Sequence, residues 1–232
     1  MNPDMPIPYS LKSDDLVSAI ILVCFFLLSF IFAGNKKYLL QQARIFIQHK
    51  ERANLFGAST SVNRYFSLVV ILQTSLLIGI VFLSYFNFKC PDFAQGIPSY
   101  LPIGVYAGLF LVYVFLKRTI YAFLGWVFFG KNATTLWLEA YFTLVYYAGF
   151  ILFPYVLLLV YFNFDIEIML TFGFVILIIA KLLMLYKWIK FFFNNIYGLS
   201  LLILYFCALE IMPCFIYYRV LVNINSLLLI KF

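Results

Sequence analysis

The chain has 232 residues, of which 66% are hydrophobic, 22% are aromatic and only 11% are charged, with a formal net charge of +7. Soluble domains are about half apolar and about a quarter charged, so this composition excludes a water-soluble globular protein and a disordered chain. Because one helical span consumes about 20 apolar residues, the chain has room for roughly six or seven spans and no large extramembrane domain.

Six continuous apolar runs follow one another along the chain. They lack the alternating pattern of membrane β-strands, so helices are the structure that satisfies their backbone polar groups. We therefore predict an all-α, polytopic transmembrane helical bundle, in which a short tail (1–15) precedes a single transmembrane domain (16–232). The predicted spans are 16–34, 67–86, 99–116, 136–162, 167–187 and 197–222.

Basic residues concentrate in the connections after the first and third predicted spans and at and after the end of the fifth, which together hold twelve of the 16 Lys and Arg residues. The positive-inside rule makes this side cytoplasmic and places both termini in the periplasm. Orientation and attraction to anionic lipid explain the net charge, and no nucleic-acid recognition module is present. The predicted partners are therefore the lipid bilayer and other membrane proteins, with no nucleic acid.

Two connecting segments have a predicted structure of their own. The segment 36–50 has apolar residues on one helical arc and polar residues on the other, which predicts an amphipathic cytoplasmic helix that lies on the inner leaflet or docks to a partner. The segment 119–130 is apolar but too short to span, so we predict an interfacial or re-entrant piece. The docking face of 36–50 is assigned to Leu39, Ala43, Phe46 and Ile47.

Charged residues at the ends of the predicted spans form a first group of candidates, because charge inside lipid is costly. Glu139 lies close to the predicted membrane boundary, and Lys117 and Arg118 end the preceding span at the same level. We predict that these three form a boundary ion pair between neighbouring helices. Arg219, near the outer end of the last span, is assigned to the same class.

Glu210 is the most deeply placed acid, about 20 Å from the cytoplasmic end of the sixth span and near the midplane, with no basic residue evidently level with it. Pro213 lacks the amide that would bond the carbonyl of Leu209, which opens the backbone beside this acid. Ion-coupled transporters use such an arrangement. The alternative is a neutral carboxyl bonded to a tyrosine or to Gln73. Lys181, which can also snorkel to the cytoplasmic face, and Gln73 are the predicted polar neighbours.

Metal and catalytic chemistry have little support in the sequence. Cys207, Glu210 and Cys214 fall on one helical face, but the only histidine, His49, lies in the first loop, and buried cysteines commonly act as small apolar residues. Hydrolase, metalloprotease and phosphate-loop signatures are missing. We therefore predict no metal, no cofactor, no catalytic residues and no enzyme activity.

Several stretches together resemble a known family over roughly residues 20–222. The most specific is LYFCALEIMPCFIYYRVLV (204–222), which combines an acid, a proline and an arginine in one apolar run. The chain resembles the domain of unknown function 4271, a family of integral membrane proteins of Gram-negative bacteria. The resemblance implies an inner-membrane helical bundle and implies no activity. Further matching stretches are LLQQ with the loop to NLFG (39–57), YAFLGWVFFGK (121–131), FPYVLLLVYF (153–162) and KLLMLYKWIKFFF (181–193).

Three functional hypotheses follow from the sequence. The leading one is a non-enzymatic inner-membrane subunit of an envelope transport, secretion or biogenesis assembly, because little chain lies outside the bilayer and the amphipathic segment offers a docking surface. The alternative is a small ion-coupled transporter or channel subunit with a midplane site at Glu210 and Pro213. The third is an intramembrane enzyme that modifies lipid.

Overall fold

The computed structural model describes residues 11–48, 62–90, 98–128, 131–162, 164–192 and 207–231. Within these ranges the secondary structure is helical, and no β-strand is present. This confirms the predicted all-helical fold class. A π-helical turn (Cys207–Ile211) precedes the last helix. The α-helices are α1 (Asp15–Gln48), α2 (Val62–Lys89), α3 (Tyr100–Phe128), α4 (Lys131–Tyr161), α5 (Ile166–Phe192) and α6 (Met212–Lys231).

The helix starts follow local capping chemistry. At the start of α1, Oδ1 of Asp14 accepts a hydrogen bond from the Leu16 amide at 3.0 Å, which satisfies a donor that has no partner within the helix. Pro102 lies in the first turn of α3, where a missing amide costs no intrahelical hydrogen bond. Polar and proline residues therefore set where these apolar helices begin.

Five of the described helices are long and apolar enough to cross a membrane, which makes this a multi-pass membrane protein. They correspond to the first five predicted spans. The predicted sixth span begins outside the described residues; its second half is the π-helical turn and α6, which continues past the predicted end to Lys231. The observed spans are Asp15–Ala33, Ser67–Lys89, Tyr100–Val127, Tyr141–Tyr161 and Ile166–Tyr186.

Two connections predicted as separate pieces are instead continuations of spanning helices. The segment 36–50 is helical up to Gln48, but it belongs to α1, which runs without interruption from Asp15. The segment 119–130 continues α3 as far as Phe128 and is not a separate re-entrant piece. Their separation from the spanning helices was wrong for one physical reason: charged residues were taken as helix ends, although neither segment contains a proline that would break a helix. The predicted contact of 36–50 with the inner leaflet or a partner stays a prediction.

α2 is the central helix and packs against α1, α3 and α4. More than half of its span is buried, 56%, whereas only 11% of the α5 span is buried, so α5 lies at the periphery with most of its apolar side chains exposed. At Gly79 of α2 an added Cβ would lie 2.9 Å from the carbonyl oxygen of Ile103, so the two backbones approach closely there. The packing thus fixes α2, α3 and α4 more firmly than α5.

Candidate functional site

A π-helical turn presents Glu210 to the interior of the bundle. The turn covers Cys207–Ile211 and is followed at once by α6, whose second residue is Pro213. Proline removes the amide that would bond the carbonyl of Leu209, so the α-helical pattern is interrupted beside the acid as the sequence predicts. Single π-helical turns inside helices are frequent at functional sites.

The carboxylate of Glu210 binds two lysines from two other helices. Its Oε2 lies 2.6 Å from Nζ of Lys117 on α3 and 2.5 Å from Nζ of Lys181 on α5. Its Oε1 accepts a hydrogen bond from the hydroxyl of Tyr121 on α3. Glu210 is only 1% exposed, so the acid is held by protein groups from α3, α5 and the turn before α6.

Lys117 is enclosed by tyrosine rings and is also 1% exposed. Its Nζ lies 5.5 Å from the ring centres of Tyr113 and Tyr121 and 5.7 Å from that of Tyr141 on α4. The negative faces of aromatic rings attract a cation at these distances, and the attraction grows when water is excluded. Nζ also donates to the Tyr121 hydroxyl at 3.4 Å. The rings and the carboxylate together replace the water that a lysine normally binds.

Cys214, one turn beyond Glu210 on α6, also contacts residues of the site. Its Sγ lies 3.3 Å from the hydroxyl of Tyr113, and it is also a hydrogen-bond partner of Lys181. We call the seven residues that make these contacts the ionic cluster. They are Tyr113, Lys117, Tyr121, Tyr141, Lys181, Glu210 and Cys214.

The ionic cluster carries one carboxylate and two ammonium groups. Burying charge is costly unless each charge is paired and hydrogen-bonded. Here one carboxylate pairs with two ammonium groups. Among the described residues of the cluster, the remaining polar groups are phenols and one thiol. Counted over its described side chains, the site therefore holds one more positive than negative charge when all three groups are ionised.

The ionic cluster is displaced from the middle of the bundle. Tyr141 is the first residue of the α4 span, and Lys181 lies close to Tyr186, where the α5 span finishes. Lys117 lies in the second half of the α3 span. These neighbours of Glu210 thus lie towards one end of their spans, whereas the midplane position predicted for Glu210 itself stays a prediction, because the start of the predicted sixth span lies outside the described residues.

The sequence model of the family described as domain of unknown function (DUF4271) matches residues 17–221. The chain belongs to the DUF4271 family. Comparisons with the curated proteins and with the solved structures give no match. Family membership confirms the resemblance drawn from the sequence, and what the site of this DUF4271 protein does must be argued from its own residues.

Of the candidates at the predicted midplane site, the structure brings Glu210, Pro213 and Lys181 together. The expectation that no basic residue lies level with Glu210 was wrong, because two lysines bind it. Gln73 does not belong to the cluster: it is buried on α2, and its Oε1 has no hydrogen-bond partner among the described residues.

Lys117 of this DUF4271 protein does not form the predicted boundary ion pair. Lys117 lies well inside α3 and binds Glu210, because α3 continues past the point where the sequence ended it. Arg118 is exposed, and its guanidinium lies 5.5 Å from the ring centre of Phe142. Arg219 is exposed on α6. The side chain of Glu139 lies outside the described residues.

Three tyrosines of the ionic cluster were missed at the level of sequence. Tyr113 and Tyr121 lie four residues before and after Lys117, so one helical face carries an aromatic, a cation and an aromatic in succession. That spacing was available in the sequence and was not used. Tyr141 gave no such signal, because only the packing of α4 against α3 brings its ring to Lys117.

Two further groups of predictions are not tested. The first group is the docking residues of α1 in this DUF4271 protein. Their backbone is helical, but their side chains are not among those that the structure describes. The described residues contain no group of three His, Cys, Asp or Glu side chains that would hold a metal ion, and the side chain of Cys207 is not among them. The docking residues are Leu39, Ala43, Phe46 and Ile47.

Proposed function

We propose that this DUF4271 protein moves an ion across its membrane, with Glu210 as the group that takes up and releases a proton during transport. The observation that carries the proposal is the meeting of Glu210, Lys117 and Lys181, from three separate helical segments, inside a chain that is otherwise strongly apolar. Ionisable groups within a membrane bundle are rare and mark ion pathways and proton relays.

Stability alone does not account for the ionic cluster. Replacing a buried ion pair by well-packed apolar residues is often neutral or stabilising, so such a pair is weak support for a purely structural role. This chain has abundant apolar side chains and nevertheless keeps Lys117 and Glu210 buried and Lys181 half-buried beside them. The helix is also broken by a π-helical turn and Pro213 beside the acid, which is the arrangement that transporters use at binding sites.

The contacts indicate how protonation would be coupled to movement. A proton on Glu210 removes the charge that holds Lys117 on α3 and Lys181 on α5 to the same oxygen. Both ion pairs are then lost, so α5 is held less tightly to the turn before α6 and can shift relative to it. Because α5 has the smallest buried fraction of the five spans, it is the helix that moves with the least loss of packing.

We further propose an inner-membrane location with both termini in the periplasm. The burial of Lys117 and the pairing of Lys181 remove two lysines from the loop count, which leaves ten basic residues on the predicted cytoplasmic side against four. Cys90, half-buried after α2, lies on the predicted periplasmic side. It should react with an impermeant maleimide in intact spheroplasts, with Cys90→Ser as the control. Labelling that requires broken membranes would overturn this orientation.

A second candidate function, a subunit of an envelope assembly, is favoured by the length of α1. This helix continues beyond its span at Ala33 to Gln48, which extends it by about 22 Å at 1.5 Å per residue. A helix that projects in this way offers a surface to a partner. Purification of the tagged protein from native membranes in mild detergent, followed by mass spectrometry, would identify a stoichiometric partner, whereas a clean homo-oligomer would count against this candidate.

Proton flux into liposomes tests the transport proposal. The full chain is reconstituted with a trapped pH-sensitive dye, a potassium diffusion potential is imposed, and the flux is compared across sodium, potassium, chloride and acetate salts. We expect a flux above that of protein-free liposomes and a loss of about 100-fold or more in Glu210→Gln, since the proton carrier is gone.

The matched control is Glu167→Gln, the same change at an exposed acid at the start of α5. It should keep the full flux. The amount of inserted, monodisperse protein is measured for every variant, so that loss of flux is separated from loss of protein. No flux from the native protein in any salt, or full flux from Glu210→Gln, would overturn the proposal.

A further inference from the structure

We propose that the ionic cluster binds a small monovalent anion at Lys181, beside Glu210. The inference deepens the proposed transport function, because it names the class of ion that the cluster takes. It rests on three features: the charge balance of the cluster, the unequal surroundings of the two lysines, and the exposure of only one of them.

The charge balance calls for an anion. Among the described side chains, the groups that face Glu210 come from α3, α4, α5 and α6, and when ionised they comprise two cations beside the one carboxylate. A cation arriving at the site would meet surplus positive charge, whereas one monovalent anion makes the site neutral. The facing groups are Tyr113, Lys117 and Tyr121 from α3, Tyr141 from α4, Lys181 from α5, and Cys214 from α6.

The two lysines differ in how fully their donors are used. Lys117 is 1% exposed and is surrounded by the carboxylate, the Tyr121 hydroxyl and three aromatic rings. Lys181 binds Glu210 and Cys214, and a thiol is a weak acceptor. Both lysines share one carboxylate oxygen, but Lys117 is enclosed by protein groups, whereas Lys181 has the weaker set of partners, so the surplus positive charge of the described cluster is most open to a further ligand at Lys181.

Exposure gives the anion its route. The side chain of Lys181 is 29% exposed, whereas that of Glu210 is 2% exposed, and Lys181 lies only five residues before the end of the α5 span at Tyr186, so an ion reaches the cluster at Lys181 from that end of the span. The charges then alternate along the site: positive at Lys117, negative at Glu210, positive at Lys181 and negative at the bound anion. One surplus charge and one exposed donor favour an ion that is small and singly charged, such as a halide or a short carboxylate.

Proton and anion should bind cooperatively. When Glu210 takes a proton from solution, the cluster gains a second uncompensated positive charge and holds the anion more tightly. By thermodynamic linkage the bound anion then favours the protonated form of Glu210 to the same extent. The two ions would therefore cross together and leave together, with the proton returned to water on the far side.

Thermal unfolding of the purified full chain in detergent tests the binding site without requiring transport. Gluconate, a large anion, is replaced stepwise by chloride or by acetate at constant ionic strength. The midpoint temperature of unfolding is measured at each step. A ligand that binds only the folded state raises the midpoint in a saturable way. We expect saturable stabilisation of the native protein, and an apparent affinity about tenfold higher in Glu210→Gln. Saturation with chloride, with acetate or with both supports the site.

Lys181→Gln should lose the saturable stabilisation, whereas Lys89→Gln, at an exposed lysine that ends α2, should keep it. If Lys181→Gln does not fold, Lys181→Arg serves instead: it keeps the charge and should retain saturable binding. No saturable effect on the native protein, equal stabilisation of Lys181→Gln, or loss in Lys181→Arg as large as in folded Lys181→Gln would overturn the inference.

The unfolding experiment and the liposome assay can refute the anion site and the transport function independently of each other. Saturable binding in detergent without proton flux in liposomes would refute transport and leave the anion site in place. Proton flux that is the same in gluconate, chloride and acetate, with no saturable binding, would refute the anion site and leave transport in place.

Discussion

The two ends of this bundle are held together by different forces. Around α1, α2 and α4, apolar side chains such as Val17, Leu77 and Val156 are fully buried against one another. At the other end, Lys117 and Glu210 are buried just as deeply and are held by ion pairs and tyrosine rings. The first end is what an apolar sequence produces by packing alone. The second costs desolvation energy that packing does not require, so it is the end where function should be sought.

The largest effect is expected from removing the acid that both lysines share. Glu210→Leu leaves Lys117 and Lys181 buried or half-buried without their counter-ion, and breaking a buried ion pair in this way costs about 3–5 kcal/mol. Chemical unfolding in detergent should show this loss of stability. If Glu210→Leu lowers the unfolding free energy only as much as an average apolar substitution does, the interactions between these charges do not contribute to stability.

A smaller effect should come from the hydrogen bond between Tyr121 and Glu210. Tyr121→Phe keeps the ring that faces Lys117 but removes a donor to a charged acceptor, which costs about 1.5–3 kcal/mol. The same unfolding assay measures it. Wild-type stability in Tyr121→Phe would show that the carboxylate is satisfied by the two lysines alone.

In the apolar end, the close approach at Gly79 should be sensitive to side-chain size. Gly79→Val places atoms against the backbone of Ile103 and should cost about 1–3 kcal/mol, as overpacking does. This change should leave anion binding at Lys181 intact in the folded fraction. A loss of anion binding in folded Gly79→Val would show that the two ends are coupled, which the contrast between them does not predict.

The smallest effect is expected at Tyr141. Tyr141→Phe keeps the ring 5.7 Å from Nζ of Lys117, and phenylalanine also attracts a cation, so the cost should be below about 0.5 kcal/mol. It is the matched control for Tyr121→Phe. Equal costs for the two variants would contradict the assignment of different roles to the two tyrosines.

Hydropathy predicted the helical fold and the first five spans, because the bilayer fixes how long an apolar helix must be. The charged residues led to wrong helix boundaries: Lys117 was taken as the end of a helix, but it is buried well inside α3, where an acid from another segment pairs with it. Local reasoning identified Glu210, Pro213 and Lys181. It did not identify the pairing itself, since that depends on how α3, α5 and α6 pack.

We infer that the ionic cluster serves ion transport and not stability. The most direct measurement replaces its three charges together, as Lys117→Met, Lys181→Met and Glu210→Leu, and compares unfolding free energy and proton flux with the wild type. We predict a triple variant at least as stable as the wild type, up to about 4 kcal/mol more stable, that carries no flux. A folded triple variant that keeps the wild-type flux, or one as unstable as Glu210→Leu alone, would contradict the claim.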